Sequence, residues 1–579
     1  MNYVESEMLL ALGRTPGLTQ RELSEQVAIS LGLANRMLQA LKKEGFLDDS
    51  VQLTEKAQNR LETCKPRRGV ILAAGYGMRM VPVSNTPKAL LEVRGERLIE
   101  RQIRQLHEVG VRDISVIVGY RKEQFEYLTD RFGVKLIFNA DYAAKNNLHS
   151  LALAESDLEN CYIVPSDLWC EGNPFRENEL CSWYAVSAEK DVSSDVRVNR
   201  KGELVRKAPT EAGNRMVGIA YLCGENAVRV RSQLAGLDQM RRYAGAFWEE
   251  ALYFGDRMTV PARVLPAEEV LEINSYEQLR ELDSSSNNLQ TGAVAAICKV
   301  FGVQADEITN IVVLKKGMTN RSFMFSVRGD QYIMRIPGEG TDRLINRRQE
   351  ARVYEAIRGK GLCDDPIYIS AETGYKITKY LPGVRVCDPE SEGDLQSCMA
   401  KLREFHRMHL KVEHRFDLWG QIDFYESLWP DPRSMYRDYT ETKAAVFRLK
   451  DWVDAQWKED CLTHIDAVCD NFLFADALQL TDWEYAGMQD PHVDLAMFAV
   501  YSNFDRAKLD RLIDLYFEGQ CPREARIKVY CYAAACGLLW SNWCEYKSSL
   551  GVEFGEYSLQ QYRAAKDFSK LARKEIERL

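Results

Sequence analysis

Residues 70–91 read VILAAGYGMRMVPVSNTPKALL, and this stretch decides how the middle of the chain folds. It starts as an apolar strand and enters a loop whose glycines, Gly75 and Gly77, let backbone N–H groups close around phosphate oxygens. Arg79 and Lys88 supply two cations that can neutralise a triphosphate and a leaving pyrophosphate. We predict that both cations are catalytic. The predicted nucleotide-binding residues along this stretch are Leu72, Ala73, Ala74, Gly75, Gly77, Arg79 and Lys88.

The chain around this loop alternates apolar strands with an amphipathic helix. Strands are predicted at 114–119, 135–139 and 161–165, and a helix at 98–109. Such alternation favours a parallel α/β sheet with helices on its faces. The pattern defines a predicted domain over residues 67–283.

The strand, the GxGxR loop and the later Pro87-Lys88 together resemble the sugar-phosphate nucleotidyltransferase superfamily, and within it the bacterial CTP:phosphocholine cytidylyltransferases. The resemblance implies a Rossmann-like mixed sheet and Mg²⁺ held by Asp167. Relatives carry a second metal-binding aspartate where this chain has Asn274, which leaves the second ligand open because asparagine offers only a carbonyl. The resemblance also implies CTP contacts from Tyr120, Asn139 and Ser150, residues that could otherwise serve as helix caps and turns.

The same family places an aromatic ring and a carboxylate at a stretch that here reads Phe247-Trp-Glu-Glu. A quaternary ammonium has no N–H to donate, so aromatic faces and negative charge hold it instead. The resemblance therefore implies that Trp248 with Glu249 or Glu250 binds phosphocholine. The alternative is that the tryptophan packs in the core and the glutamates form a solvated face.

A second catalytic pattern lies at residues 462–485, which read LTHIDAVCDNFLFADALQLTDWEY. It contains HxDxxxxN, the catalytic-loop pattern of kinase-like phosphotransferases. In this pattern Asp466 accepts or orients the proton of the substrate hydroxyl. Asn471 and Asp482 would bind Mg²⁺ beside the ATP phosphates.

The region upstream and downstream of this loop resembles the choline/ethanolamine kinase family over residues 290–579, which implies a protein-kinase-like α+β fold. A loop before residue 323 would cover the phosphates, the strand near 332–336 would carry the phosphate-contacting cation, and a helix beginning near Thr341 would carry its glutamate partner. The strand that ends near residue 380 would form the hinge beside adenine. The ATP-binding residues implied are Gly317, Thr319, Asn320, Arg335, Glu350 and Tyr380.

The HxDxxxxN pattern also occurs in aminoglycoside phosphotransferases, so the aromatic residues decide the predicted substrate. Trp540 and Trp543 stand three residues apart, on one face of a helix. Choline kinases place such a pair beside a tyrosine that follows the metal aspartate, here Tyr485. Three rings near Asp466 would form a cage for a trimethylammonium group. Ordinary core packing is the alternative.

Residues 1–65 resemble a winged helix-turn-helix domain of bacterial transcription regulators. Thr19 with Glu22 forms a capping-box pattern, a second helix is predicted from Ala34 to Lys43, and a wing at 47–53. The predicted recognition helix offers only Arg36, Lys42 and Lys43 as cations, whereas sequence-specific DNA readers make several phosphate contacts. A DNA partner, a protein partner and homodimerisation all stay open for this domain.

Composition narrows the class of protein. The chain has 579 residues and a formal net charge of -9, which argues against a dominant nucleic-acid or anionic-membrane surface. No apolar run approaches the ~18 residues that a membrane-spanning helix needs, so no membrane insertion is expected. The 15 cysteines contain no CxxC pair. We expect reduced thiols in a cytoplasmic protein.

We therefore predict a multidomain α/β protein with a winged helix (1–65), a nucleotidyltransferase (67–283), a linker (284–289) and a kinase-like domain (290–579). The resemblances imply that it uses ATP to phosphorylate choline, and then couples phosphocholine to CTP, with Mg²⁺ at both sites. One alternative keeps this chemistry and changes the amine to ethanolamine or another amino alcohol. The other is a DNA-binding regulator that responds to choline metabolites.

Overall fold

The computed structural model describes residues 1–75, 86–199, 201–208, 210–255, 257–284, 286–289, 291–314, 320–338, 341, 344–549 and 554–579. The chain forms two compact units, Met1–Cys298 and Lys299–Leu579. The predicted domain boundaries at 65/67 and 289/290 stay predictions.

The first unit begins with four helices and a small wing. The helices are α1 (Tyr3–Arg14), α2 (Gln20–Gln26), α3 (Leu31–Lys43) and α4 (Glu55–Thr63). Thr19 and Glu22 form the predicted capping box at α2, and one antiparallel bridge between Leu47 and Leu53 forms the wing. Helix α3 begins three residues earlier than predicted, because the Ser30 hydroxyl accepts from Leu33 N and caps it.

The rest of the first unit is an α/β domain. Its helices are α5 (Leu98–Glu108), α6 (Tyr127–Phe132), α7 (Asn147–Ala152), α8 (Gly224–Asp238) and α9 (Tyr276–Leu282), followed by α10 (Gly292–Phe301). Its strands are β1 (Arg68–Ala73), β2 (Glu92–Val93), β3 (Glu96–Arg97), β4 (Asp113–Val118), β5 (Lys135–Phe138), β6 (Cys161–Pro165), β7 (Leu168–Cys170), β8 (Trp183–Asp191), β9 (Val196–Val198), β10 (Glu203–Arg206), β11 (Gly213–Leu222), β12 (Tyr253–Phe254), β13 (Arg257–Leu265) and β14 (Val270–Glu272).

The main sheet of this domain is mixed. Its order is β5-β4-β1-β6-β11-β8-β13-β10-β9, with β12 paired to β13. Strands β5, β4, β1 and β6 are parallel, as the sequence predicted, whereas β11 is antiparallel to both β6 and β8. Apolar side chains from this sheet fill one core cluster on each face. The Rossmann-like half of the sheet is therefore the half that contains the glycine loop.

Helix α1 fastens the winged helix to the α/β domain. Arg263 and Glu179 form a buried bidentate pair, with Nη1–Oε1 and Nη2–Oε2 both 2.8 Å. Glu7 of α1 approaches Arg263 Nη2 to 3.2 Å and also binds Arg176. Leu180 of the α/β domain lies inside the apolar core of the winged helix. The two domains of this unit therefore share buried side chains.

The stretch predicted as a linker is bound to the α/β domain. Ser286 is buried and donates to Glu92 O, and Asn288 accepts from Glu92 N at 2.8 Å. The Tyr276 hydroxyl donates to Leu289 O at 3.0 Å. These contacts hold the segment against the β2–β3 hairpin.

The second unit combines a small sheet with a helical region. Its strands are β15 (Thr309–Val313), β16 (Asn320–Val327), β17 (Asp330–Pro337), β18 (Tyr368–Ile369), β19 (Lys376–Lys379), β20 (Arg385–Val386), β21 (Cys461–Thr463), β22 (Phe472–Phe474), β23 (Leu478–Leu480) and β24 (Gly487–Gln489). Its helices are α11 (Arg347–Ile357), α12 (Glu392–Arg407), α13 (Leu418–Ser427), α14 (Tyr439–Ala455), α15 (His492–Tyr501), α16 (Arg506–Tyr516), α17 (Arg523–Ser549) and α18 (Glu556–Ile576).

The small sheet has the order β15-β16-β17-β19-β18 and is antiparallel throughout. Helix α11, which carries Glu350, begins at Arg347 rather than near Thr341, because the Asn346 side chain accepts from two backbone N–H groups and caps it there. The remaining helices surround one large apolar core. Among the described residues, no helix has both the length and the apolar character needed to cross a membrane.

Candidate active sites

The glycine loop leaves β1 at the end of the parallel strands. Tyr120 N donates to Ala74 O at 3.3 Å and Ser166 N donates to Leu72 O at 3.2 Å, so the ends of β4 and β6 hold the start of the loop. A Cβ at Gly119 would lie 2.8 Å from Ala74 O and 2.6 Å from Tyr142 Cβ, so only glycine fits there. The predicted residues Gly77 and Arg79 lie outside the described residues.

Lys88 joins the two residues predicted to bind a metal. Its Nζ lies 3.3 Å from Asp167 Oδ2 and 2.5 Å from Asn274 Oδ1. Antiparallel pairing of β7 with β14, extended by Ile273 N donating to Asp167 O at 2.9 Å, brings the aspartate and asparagine together across more than 100 residues of sequence. Two oxygens thus converge on one ammonium group.

This donor set fits a hard divalent cation. Mg²⁺ prefers carboxylate and carbonyl oxygens and usually keeps several waters, and Asp167 and Asn274 supply one of each. In the described geometry the Lys88 ammonium stands between them. Asp167 and Asn274 are therefore the residues that could hold a metal at this site.

Two of the predicted CTP contacts are engaged with each other. Asn139 Nδ2 donates to Ser150 Oγ at 3.0 Å, and Asn139 Oδ1 accepts from Asp141 N at 2.8 Å. Asn139 and Ser150 are both buried, and so is Tyr120. In this arrangement Asn139 and Ser150 brace the strand ends, and their contact with CTP stays a prediction.

Trp248 and Glu249 lie beneath the surface of the same domain. The Trp248 indole is fully buried, with its ring centroid 5.8 Å from that of Tyr184, so in this conformation it packs in the core and offers no open face. Glu249 Oε1 accepts from the Tyr184 hydroxyl at 2.9 Å, while Oε2 is buried without a hydrogen-bond partner among the described residues. Burial raises the pKa of Glu249 to about 7. Glu250 instead pairs with Arg206 at the surface, at 3.4 Å.

The catalytic loop of the second unit is held from below by a buried aspartate. Asp494 accepts from His464 N at 3.0 Å and from Ile465 N at 2.7 Å. These bonds stabilise a sharp turn in which Ile465 has a φ of 71°. Asp494 was missed by the sequence analysis, although an aspartate in the otherwise apolar start of α15 was a usable signal.

Asp466 follows this turn and faces other acidic groups. Asn471 Nδ2 donates to Asp466 O at 2.8 Å and approaches its Oδ2 at 3.3 Å. Burial, together with the charges of Asp482 and Glu484, raises the pKa of Asp466 well above its usual range. The carboxylate therefore lies where a proton is readily accepted.

Arg335 is a buried cation that lines this site. Glu350 binds it with two hydrogen bonds, of 2.5 Å to Nη1 and 2.9 Å to Nη2, and Asp482 Oδ1 lies 3.7 Å from Nη1. Burial alone would raise the pKa of Glu350, but Arg335 overcomes this and lowers it to about 2. Asp482 has a φ of 66°, a left-handed conformation that sets the direction of its side chain.

Glu484 and Arg347 complete the network and were not among the predicted site residues. Glu484 Oε2 accepts from Asn320 Nδ2 at 2.8 Å and from Arg347 Nη1 at 3.0 Å. Burial and the neighbouring Asp482 raise the pKa of Glu484 to about 7. These contacts tie Asn320, at the start of β16, to the start of α11. The other predicted loop residues, Gly317 and Thr319, lie outside the described residues.

A cleft of about 370 Å³ opens between the small sheet and the helical region. The predicted residues that line it are Asn320, Arg335, Tyr380, Asn471 and Asp482. Asn471 and Asp482 bring two more oxygen donors to one wall, which is the chemistry that a divalent cation beside phosphates requires. The residues predicted to bind a nucleotide and those predicted to bind a metal therefore line one cavity.

The three predicted cage rings are in mutual contact. The centroids of Tyr485 and Trp540 are 5.8 Å apart, and those of Trp540 and Trp543 are 5.4 Å apart, both edge to face. Trp540 is 7% exposed and Trp543 only 2%. All three rings are therefore buried in this conformation, with Trp540 between the other two, and their role as a choline cage stays a prediction.

Three family models match the chain, each over one part of it. They are a winged helix-turn-helix DNA-binding model over residues 1–48, a MobA-like NTP transferase domain over 69–175 and the phosphotransferase enzyme family over 310–530. A choline-phosphate cytidylyltransferase of Streptococcus pneumoniae is 32% identical over 236 residues, which are 38% of this chain and 99% of that protein. The chain belongs to the choline-phosphate cytidylyltransferase family.

The chain is also similar to a second cytidylyltransferase and to a choline kinase of known structure. A 2-aminoethylphosphonate cytidylyltransferase of Lancefieldella rimae is 30% identical over 224 residues, which are 37% of this chain and 91% of that protein. A crystal structure of choline kinase LicA from Streptococcus pneumoniae is 27% identical, covers 48% of this chain and 97% of that one, and has a TM-score of 0.43. Along the sequence, the winged helix-turn-helix match precedes the cytidylyltransferase match, and the phosphotransferase match follows it.

Proposed function

We propose that this protein makes CDP-choline in two steps. The choline hydroxyl attacks the γ-phosphorus of ATP, which yields phosphocholine, ADP and a proton. A phosphate oxygen of phosphocholine then attacks the α-phosphorus of CTP, and pyrophosphate leaves. The observation that carries the proposal is that one chain of the cytidylyltransferase family also contains a cleft in which five predicted kinase residues meet.

The kinase step is supported by the charges in the cleft and by Asp466, which is hydrogen-bonded to the cleft residue Asn471. Asp466, with its raised pKa, would take the proton of the choline hydroxyl. Arg335, fixed by Glu350, would neutralise the ATP phosphates. Mg²⁺, when bound by Asn471 and Asp482, would neutralise the charge on the phosphate oxygens. Tyr485 and Trp540 would hold the trimethylammonium through their rings.

The transfer step is supported by Lys88 and Glu249. Lys88 would stabilise the negative charge that develops on the leaving pyrophosphate. Its ammonium lies beside Asp167 and Asn274, the residues that would hold Mg²⁺. Glu249 Oε2, which has no hydrogen-bond partner among the described residues, would attract the positively charged trimethylammonium group of phosphocholine. A buried carboxylate with no cation beside it is costly, and a cationic ligand removes that cost.

The experiment is product analysis by mass spectrometry, with purified protein, Mg²⁺, ATP, CTP and equal amounts of choline, ethanolamine and 2-aminoethylphosphonate. Phosphocholine followed by CDP-choline supports the proposal. CDP-ethanolamine as the main product would keep both steps and overturn the assignment of the amine. CMP joined to the phosphonate through a P–O–P anhydride as the main product would keep the transfer step alone, because the phosphonate needs no phosphorylation.

DNA binding is a second candidate function, favoured by the surface of α3. Asn35, Arg36, Gln39 and Lys43 are exposed on that helix, and asparagine, glutamine and arginine side chains can read base edges in the major groove. The wing carries Asp48 and Asp49, which would repel phosphate. Fluorescence anisotropy with the promoter region of its own gene tests this, with Arg36→Glu as the variant. Equal affinity of wild type and variant at low salt would overturn it.

A further inference from the structure

Helix α5 holds the segment that contains Asp167. Gln102 Nε2 donates to Pro165 O at 2.9 Å and to Leu168 O at 3.1 Å. Those two carbonyls are the last of β6 and the first of β7, so the single amide nitrogen bridges both ends of the Ser166-Asp167 turn. Further along the same helix, Gln105 Nε2 binds Cys170 O and Gly172 O, at 3.3 and 2.9 Å.

The primary amide of Gln102 makes both bonds from one nitrogen. Gln102 is 1% exposed, so an apolar side chain of similar size would fill its place and leave two carbonyls without these donors. Its Oε1 is buried without a hydrogen-bond partner among the described residues. An unmatched buried oxygen destabilises the fold, so what this side chain contributes is the pair of donors.

The Asp167 turn is thus held on two sides. Gln102 holds the carbonyls that flank the turn, and Ile273 N holds the carbonyl of Asp167 itself at 2.9 Å. The carboxylate between these anchors lies 3.3 Å from Lys88 Nζ. Loss of the Gln102 donors frees the Pro165 and Leu168 carbonyls but leaves the bond from Ile273 N to Asp167 O. The sheet should stay intact, while the Asp167 carboxylate is less firmly held opposite Asn274.

We propose that Gln102 is a positioning residue for cytidylyl transfer, acting through the Asp167 turn to set the geometry of the divalent-cation site. The proposal rests on the proposed function of that site. Outer-shell partners of metal ligands typically change metal affinity or activity by ~10- to 100-fold. Replacing Gln102 should therefore weaken binding of the divalent cation and leave the affinity for phosphocholine unchanged.

The test compares Gln102→Met with Gln105→Met. Both remove two buried donors from the same face of α5, but only Gln102 flanks Asp167. Two readouts are measured: the Mg²⁺ concentration that gives half-maximal CDP-choline formation from supplied phosphocholine, and Mn²⁺ binding in the presence of CTP, followed by electron paramagnetic resonance. We expect Gln102→Met to raise both midpoints about tenfold or more, with recovery at high metal, and Gln105→Met to change them less than about threefold.

Equal midpoints for the two variants, or an unchanged midpoint in folded Gln102→Met, would overturn the proposal. Circular dichroism checks the fold, and Gln102→Leu takes the place of Gln102→Met if the latter does not fold. Wild-type protein that forms no CDP-choline would count against the proposed function alone. The Mn²⁺ midpoints would still decide the role of Gln102.

Discussion

The bidentate pair between Arg263 and Glu179 predicts how Glu179→Gln changes stability. Glu179 is 1% exposed and Arg263 5%. Among the described residues, the substitution leaves the buried guanidinium with Glu7, at 3.2 Å, as its one carboxylate partner. Removing one member of a buried pair costs ~3–5 kcal/mol. Because Glu7 remains, we expect the lower end, ~3 kcal/mol.

This loss should appear in one unit only. At about 2–3 °C per kcal/mol for a unit of this size, the first unit should unfold about 6–9 °C lower. The second unit, Lys299–Leu579, does not contain the substitution. The assay is thermal inactivation: protein is heated, cooled and tested separately for choline phosphorylation and for CDP-choline formation from phosphocholine. The midpoint for transfer should fall, and the midpoint for phosphorylation should not.

Glu25→Gln is the matched control. Its pair with Arg21 lies on the same unit, but the two side chains are 68% and 85% exposed, and such pairs contribute about 0–1 kcal/mol. The reasoning would be refuted by a Glu179→Gln midpoint within about 2 °C of the control, a margin below the expected shift. A fall of both midpoints together would refute the independence of the units.

Four further predictions concern Glu249, the catalytic residues and the predicted choline cage. Burial holds the pKa of Glu249 at about 7, above its ordinary 4.5, so the carboxylate becomes protonated as the pH falls below 7. The KM for phosphocholine should therefore rise about tenfold per pH unit in that range. In Glu249→Gln, the part of the pH dependence that comes from this group should be absent. For the same reason Glu249 makes the fold less stable as the pH rises from 4.5 to about 7, which urea unfolding of wild type against Glu249→Gln measures. Asp466→Ala should abolish phosphocholine formation and leave transfer from supplied phosphocholine, while Lys88→Ala should do the reverse; loss of both reactions in either folded variant would contradict separate sites. Trp540→Ala should raise the KM for choline about tenfold, in keeping with ~1–2 kcal/mol for a desolvated cation–π contact, with the KM for ATP as the internal control.

The elements that the sequence predicted well are local ones. The capping box at Thr19, the strand at Cys161–Pro165 and the spacing from Asp466 to Asn471 each depend on neighbouring residues, so a few positions of sequence contain the information. The strand order could not be predicted, because pairing depends on distant segments: nothing in the sequence near β11 shows that it runs antiparallel to β6.

Gln102 and Asp494 could not be predicted from the sequence for a related reason. Gln102 and Asp494 bind backbone atoms 63 and 30 residues away, so neither forms a motif with the residue it holds. For Trp248, the sequence suggested a ligand contact that this conformation does not show. A short stretch of sequence does not distinguish a tryptophan that packs in the core from one that faces a ligand. The burial of Trp248 beside Tyr184 became visible only with the fold.

The contact between Lys88 and Asn274 also bears on how the protein is made. The two residues are 186 positions apart, and β14, which brings Asn274 to Asp167, is the last strand of its domain to leave the ribosome. At ~5–20 residues per second, the glycine loop and the strands beside it wait roughly 10–40 s for that partner. During this interval the strands of the main sheet emerge one after another while the cation site is incomplete, and the apolar side chain of Val270, which packs into one core cluster, arrives only near the end. A ribosome pause before residue 270 would therefore lengthen the time in which this half-formed domain is open to aggregation or to a chaperone.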